Sequence, residues 1–226
     1  MRWPIRTMRC LGCLAVVVCV IAAGCSAPNS VLIERADAAV ANSQPLRAEA
    51  FLVRAMAHDQ TDWRVYERFG QLRLADHRAL DAQVYFEQAL TLRPDHPETG
   101  QIIESLAESL LMQGKYDAMG QVLAARASHT GQEVDYLRQG RFLTRIGDVD
   151  AAMLAYRKAA AVAEPGDADP MLAIAALYES TGDNANALLY LRYAYYQQPA
   201  NLFIADELRR HGMVPGPTAG LEPPTQ

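Results

Sequence analysis

Three arginines in the sequence, Arg138, Arg141 and Arg145, could together bind an anion. Their spacing of three and four residues places them on one face of a helix. Guanidinium groups hold carboxylate or phosphate oxygens through paired hydrogen bonds. Two interpretations of this face stay open. Either the arginines form an open anion-binding clamp, or they pair with Glu104 and Glu108 of the preceding helical segment.

An earlier helical segment carries three further polar residues at helical spacing, Arg64, Arg68 and Gln71. They could extend the binding surface of the later arginines. As solvated residues on a helix surface, they would need no function at all. We include them in the predicted binding set together with the arginines and glutamates named above.

The sequence contains no pattern that is typical of an enzyme or a metal protein. Phosphate-loop, dinucleotide-binding and nucleophile-elbow motifs are absent. The histidines are scattered without the spacing of metal ligands, at His58, His77, His96, His129 and His211. We therefore predict no catalytic residue, no metal site and no cofactor, and we expect that the protein is not an enzyme. Catalysis by residues far apart in the sequence is the remote alternative.

Residues 1–24 have the layout of a secretory signal peptide. Arg2, Arg6 and Arg9 form a basic start, and an apolar run of about 13 residues ends in Ala22, Ala23 and Gly24. A helix that crosses a bilayer needs about 20 residues, so this run is too short for a permanent span. We exclude the leader from the fold.

Cys25 directly follows Ala22, Ala23 and Gly24, and this arrangement resembles the lipobox of bacterial lipoproteins. The resemblance implies that the Cys25 thiol carries diacylglycerol, with fatty acyl chains such as palmitate, after removal of the leader. Ser26 resembles the residue type that directs lipoproteins to the outer membrane, which implies a location on its periplasmic face. Ordinary secretion or an uncleaved anchor is the alternative.

Composition limits the remaining function classes. Three of the four cysteines lie in the leader, so the chain from Cys25 on cannot form an internal disulfide. Three of the 21 basic residues also lie in the leader, whereas all 26 acidic residues follow it. The resulting acidic chain is a poor partner for nucleic acid. Half of the residues are apolar, with abundant alanine, which favours a helical core.

A pattern of small and aromatic residues recurs along the chain. A frame that begins at Trp63 contains Tyr66, Gly70, Ala82, Phe86, Ala89 and Pro94. Frames that begin at Glu133 and Ala168 match at the same places, with Gly140, Ala152, Tyr156, Ala159, Ala175, Ala187, Leu191 and Ala194. The unit near Gly100 is degenerate, because Met119 and Arg126 replace the expected alanines. A pattern that recurs every about 20–50 residues predicts stacked helical hairpins.

These residues resemble the tetratricopeptide repeat (TPR) family from Asn29 to Arg210. The resemblance implies an all-α solenoid, in which helical hairpins stack into a right-handed superhelix. We assign about five hairpins to residues 29–212, with a divergent first unit and a final cap helix, and a short linker to residues 25–28. Small residues such as Gly70 and Gly140 should allow the two helices of a hairpin to approach closely. The Pro-rich tail, 213–226, has too little apolar surface to order itself.

The family resemblance also implies a mode of action. First helices of the hairpins line a concave groove, and the groove binds peptides or segments of proteins. Arg138, Arg141 and Arg145 should point into it, in a position similar to the basic clamp that some TPR domains use on a carboxylate terminus. We expect a lipid-anchored scaffold that binds a segment of an envelope complex, with the pilus or secretion pilotins as the concrete case. An adaptor that positions or regulates a cell-wall enzyme is the alternative.

Overall fold

The chain folds into helices that are separated by short turns. The computed structural model describes residues 28–94, 96 and 98–224. The leader, Cys25 and the linker residues before Pro28 lie outside these ranges. The described residues form eleven helices and no strand: α1 (Asn29–Ala41), α2 (Pro45–His58), α3 (Trp63–Ala75), α4 (Ala79–Leu92), α5 (Thr99–Met112), α6 (Tyr116–Thr130), α7 (Glu133–Arg145), α8 (Val149–Val162), α9 (Asp169–Ser180), α10 (Asn184–Gln197) and α11 (Leu202–Arg210).

Consecutive helices form antiparallel pairs, α1/α2 to α9/α10, and a left-handed residue lies in the turn of each pair. In the last three pairs this residue is Gly114, Gly147 or Gly182, with φ of 69°, 80° and 80°. Glycine adopts this conformation at little cost. In the first two pairs Ser43 and His77 take the left-handed conformation instead, with φ of 56° and 58°.

The two helices of each pair approach closely where a small residue faces a large one. At Gly70 an added Cβ would lie 2.5 Å from the Phe86 ring, which is closer than real carbon contacts. At Gly140 an added Cβ would collide with the Tyr156 ring in the same way. The predicted close approach is therefore confirmed at both glycines.

In the remaining three pairs, the two facing residues differ less in side-chain size. Alanine replaces glycine there, and leucine replaces the aromatic ring. All of these residues are buried in the core: Ala36 with Leu52, Ala107 with Leu123, and Ala175 with Leu191. The second helix thus loses the volume of the ring, and the alanine methyl group on the first helix compensates for this loss.

Neighbouring pairs stack through their first helices. The backbones of α1 and α3, α3 and α5, α5 and α7, and α7 and α9 lie close together, whereas no two second helices of the described chain approach each other as closely. The first helices therefore form the inner, concave layer of a curved stack. Each second helix packs against the first helix of the following pair, and α11 packs on α10 at the C-terminal end. This arrangement is the predicted all-α solenoid.

The third pair departs from the spacing of the others. In α6 the buried residues are Met119, Leu123 and Ala127, so the buried alanine comes one position later than Ala55, Ala89, Ala159 and Ala194 of the other second helices. Arg126, which the repeat frame puts at the buried position, turns to Asp135 of α7 at 3.3 Å. α6 extends to Thr130, and Gly131 ends it in a left-handed conformation.

The expectation that the tail has no ordered structure is wrong for residues 213–224. Ala219 is buried in the C-terminal core cluster. The Nε of Arg192 in α10 donates to the carbonyl of Ala219 at 2.9 Å, and the amide of Leu221 donates to the carbonyl of Arg192 at 3.1 Å. The backbone of Tyr196 leaves little more than the space of a glycine at Gly220. The tail is ordered by α10 rather than by its own apolar surface.

Candidate binding groove

The groove is the concave surface that the first helices α1, α3, α5, α7 and α9 form. The residues that the sequence singled out lie on three of these helices. α5 lies between α3 and α7, because it contacts both. The residues are Arg64, Arg68 and Gln71 on α3, Glu104 and Glu108 on α5, and Arg138, Arg141 and Arg145 on α7.

Arg145 joins α7 to α5 through Glu108. Two guanidinium nitrogens donate to the two carboxylate oxygens at 2.5 and 2.9 Å. These hydrogen bonds lower the pKa of Glu108 below its usual value. The guanidinium also lies 5.0 Å from the centre of the Phe142 ring. Arg145 is therefore held on both sides and is not an open anion site.

Arg138 is buried and forms the second link between the same helices. Its Nε donates to Glu104 at 3.0 Å, and another of its nitrogens donates to the buried carboxylate of Asp135. Asp135 also accepts hydrogen bonds from Thr130 at 2.7 Å and from Arg126 at 3.3 Å. A buried charge of this kind needs several polar partners, and Arg138 is therefore a structural residue of the groove floor.

Arg141 lies between these two links and remains accessible. Its side chain is 58% exposed, and its guanidinium lies 3.5 Å from Glu104, which also binds Arg138. An exposed pair of this length is weak and exchanges readily with solvent. Of the three arginines of α7, Arg141 is thus the one that can bind a partner.

The polar residues of α3 form two separate groups of ion pairs and hydrogen bonds. Arg68 pairs with Asp37 of α1 at 2.9 Å and with Glu67 at 2.9 Å, and Gln71 donates to Glu67 at 3.2 Å. Burial raises the pKa of Glu67. Arg64 instead turns back to Asp62, with hydrogen bonds of 2.9 and 2.8 Å. Arg64 therefore belongs to the start of α3 rather than to a continuous basic track.

A small apolar cavity between α1 and α3 was not predicted from the sequence. It has a volume of about 290 Å³, and the Asp37–Arg68 pair lies at its edge. Its apolar lining consists of Ala36, Val40, Ala41, Leu52, Leu72 and Ala75. The signal in the sequence is the alanine at the end of both first helices, Ala41 and Ala75, where α5 and α7 have Met112 and Arg145. A cavity of this size and lining fits one apolar side chain of a ligand.

Four carboxylates gather near the start of α7. Glu133 lies with Glu164, Asp167 and Asp169 around a recess of about 540 Å³, which Val134 and Leu137 also line. Burial and the negative charge of Asp167 raise the pKa of Glu133 to about 7. The folded chain therefore disfavours a charge on Glu133 near neutral pH.

Among the described residues, no three or more His, Cys, Asp or Glu side chains are arranged so that they could hold a metal ion. His211 is hydrogen-bonded to Glu179 at 2.6 Å, and His96 lies against Trp63 with ring centres 4.9 Å apart. Within the same ranges, none of the helices has the length and apolar character that a membrane span requires.

Comparisons with known proteins identify the fold. No family model and no curated protein match the chain. YrrB, a TPR protein with an unusual peptide-binding site, matches with a TM-score of 0.51 and 20% identity over 79% of this chain and 90% of YrrB. MamA from Desulfovibrio magneticus RS-1 matches at 0.56 and 16%, over 80% of this chain and 95% of MamA.

A third solved structure, pilF of Pseudomonas aeruginosa, matches with a TM-score of 0.55 and 17% identity, over 81% of this chain and 82% of pilF. The chain has the tetratricopeptide-repeat fold. Sequence identities this low show the fold and leave the partner open.

The raised pKa of Glu133 predicts how the stability of the TPR domain depends on pH. The folded state binds the Glu133 proton up to about pH 7, whereas the unfolded chain loses it near pH 4.5. The free energy of unfolding therefore falls as the pH rises from about 4.5 to 7. Glu133→Gln should raise the melting temperature at pH 8 and change it little at pH 5.

Thermal unfolding followed by circular dichroism at both pH values measures this effect. Asp150→Asn is the matched control, because Asp150 is an exposed carboxylate in the first turn of α8. A melting temperature that Glu133→Gln changes equally at both pH values, or lowers at pH 8, would contradict the prediction.

Proposed function

We propose that the chain is a non-enzymatic scaffold of the bacterial envelope, anchored by lipid on Cys25, which holds a segment of a partner protein in the TPR groove. The observation that carries this proposal is the combination of an accessible cation with an apolar cavity in one groove. Arg141 offers a charge to a partner carboxylate, and the cavity beside Asp37 and Arg68 accepts an apolar side chain.

The form of the ligand follows from the dimensions of the groove. The Arg141 site and the apolar cavity belong to different first helices, with α5 between α3 and α7. A single small molecule of the size of either site would not reach both. An extended or helical segment of a protein can reach both sites, because its side chains recur along its length. The peptide-binding site of YrrB supports this mode of binding.

The leader supports the membrane anchor. Two acyl chains bury enough methylene groups to hold a protein on a membrane stably, where one chain is marginal. Ser26 after Cys25 supports the periplasmic face of the outer membrane. Assembly or localisation of a pilus or secretion machine is the concrete role that we propose, as for the lipid-anchored TPR pilotins that the leader and the repeats resemble.

The anchor predicts the behaviour of Cys25→Ser in cells. Without the thiol no diacylglycerol can be attached, and the chain should move from the membrane fraction to the soluble periplasmic fraction. Fractionation followed by immunoblotting measures the distribution, and mass spectrometry of the wild-type N-terminus measures the lipid. A Cys25→Ser chain that stays in the membrane without its leader, or a wild-type N-terminus without lipid, would contradict the anchor.

The groove predicts the effect of reversing the charge of Arg141. Chemical crosslinking in native membranes, followed by purification and mass spectrometry, should recover an envelope partner with the wild type. Arg141→Glu should reduce its recovery severalfold, because the accessible cation is lost. Arg138 and Arg145 are left intact, since removal of either would leave a paired carboxylate without its partner.

The matched control is Arg209→Glu. The Arg209 side chain in α11 is also 58% exposed and also forms an ion pair, with Asp206, but it lies outside the first helices. Arg209→Glu should leave the recovery unchanged. A partner that survives Arg141→Glu as well would bind outside the groove, which is the behaviour expected of an adaptor for a cell-wall enzyme.

A further inference from the structure

The outer side of α2 carries an apolar stripe that no other part of the described chain covers. Leu46, Ala50, Val53 and Ala57 follow one another at spacings of four, three and four residues, which places them on one face. All four are exposed, and Leu46 is 82% exposed. The buried face of α2 is a different one, formed by Ala48, Leu52 and Ala55.

α4 continues the apolar surface in the second pair. Leu80 and Val84 stand at the places of this pair that Leu46 and Ala50 occupy in the first, and both are more than half exposed. In the third pair the corresponding places hold Asp117 and Gln121, which are polar. The apolar surface is thus interrupted in the third pair, and in the fourth pair the same places hold Asp150 and the exposed Leu154.

Three arginines flank this surface. Arg35, Arg47 and Arg54 form no ion pair with any described residue, and Arg47 makes a hydrogen bond to Gln44 at 3.2 Å. Arg35 and Arg47 line one recess of about 310 Å³ between α1 and α2. The rest of its lining consists of Ala38, Ala39, Asn42, Gln44 and Phe51.

Most carboxylates of the first pair form ion pairs with α3 and not with these three arginines. Asp37 binds Arg68 and Glu49 binds Arg73, and both of these arginines belong to α3. Glu34 and Asp59 are the exposed carboxylates that remain in the first pair. The first pair therefore presents unpaired arginines on its outer side, although the chain as a whole is acidic.

We propose that this surface, formed by the apolar residues of α2 and α4 and by Arg35, Arg47 and Arg54, lies on an anionic lipid bilayer. We call it the basal surface. The apolar side chains would enter the boundary between headgroups and acyl chains, and the arginines would bind lipid phosphates. The proposal rests on the lipid anchor of the proposed function, and it adds a second membrane contact that fixes the orientation of the groove.

The length of the linker supports the membrane as the occupant. Ser26, Ala27 and Pro28 separate Cys25 from the first residue of α1. A residue spans at most about 3.6 Å, so α1 begins within roughly 14 Å of the lipidated cysteine. The antiparallel α2 ends beside the start of α1, and its 14 residues extend about 20 Å from there. The basal surface is therefore within reach of the bilayer that holds the anchor.

A tryptophan placed on the basal surface tests the proposal without depending on lipidation in cells. The chain from Cys25 on contains one thiol, Cys25, and one tryptophan, the buried Trp63. This part of the chain includes every helix of the structure, and it can be coupled through Cys25 to maleimide lipid in vesicles. Leu46→Trp reports on the basal surface, and Leu202→Trp is the matched control, since Leu202 is 77% exposed in α11.

Brominated lipids in vesicles that contain phosphatidylglycerol should quench Leu46→Trp at least about twofold more than Leu202→Trp. The excess should fall in vesicles of phosphatidylcholine alone, and also when Arg35→Glu and Arg47→Glu are added to Leu46→Trp. Circular dichroism of each variant checks the fold. Equal quenching at the two positions, or none at Leu46→Trp, would overturn the proposal.

The outcomes separate the basal surface from the anchor. A chain without lipid on Cys25 in cells would overturn the anchor, and the coupled vesicles would still decide the basal surface. If Leu46→Trp is not quenched and a photo-crosslinker at position 46 captures a protein in cells, the surface docks a protein and the membrane assignment is wrong.

Discussion

The rest of the structure depends on the distance between the two helices of each pair. At this contact the chain matches a small residue on the first helix with a large residue on the second. Glycine faces an aromatic ring in two pairs, Gly70 with Phe86 and Gly140 with Tyr156. Protein cores are close-packed, so one extra carbon at either glycine would have to displace a ring or a helix. Alanine with leucine fills the same space in the other three pairs.

Beyond this packing within pairs, the first helices of neighbouring pairs also contact each other. Those helices then carry charges that bridge from one pair to the next: Asp37 with Arg68, Glu104 with Arg138, and Glu108 with Arg145. Two of the three arginines of α7, Arg138 and Arg145, are therefore occupied by ion pairs within the chain. Only the weakly paired Arg141 is left with an accessible charge, which is why we assign the partner contact to it.

Local patterns in the sequence predicted the helical hairpins and the close approach at Gly70 and Gly140, because both depend on residues near one another in the repeat. Contacts between repeats were beyond such patterns. Arg126 leaves its repeat position for Asp135 of the next helix, and this shift of one residue moves Ala127 into the core. The order of the tail also depends on a distant partner, Arg192, so composition alone predicted the wrong state.

The same limit applies to the candidate groove. The sequence placed Arg138, Arg141 and Arg145 on one face, but it left the choice between pairing and an open site undecided. Burial decided it, because Arg138 is held by Asp135 within its own helix as well as by Glu104. The apolar cavity went unnoticed since it needs side chains from three helices, among them Ala36, Leu52 and Ala75.

The size match between the two helices of a pair is best tested by converting one kind of pair into the other. Gly140→Ala, Tyr156→Leu and the double variant form a double-mutant cycle for the free energy of unfolding in urea. Each single change should destabilise, by overpacking of roughly 1–3 kcal/mol in the first case and by a cavity in the second. The double variant recreates the alanine–leucine pair. Its loss in the free energy of unfolding should be smaller than the sum of the losses of the two single variants, with a coupling energy of about 0.5–3 kcal/mol. Additive losses would show that the two residues do not set the distance between the helices.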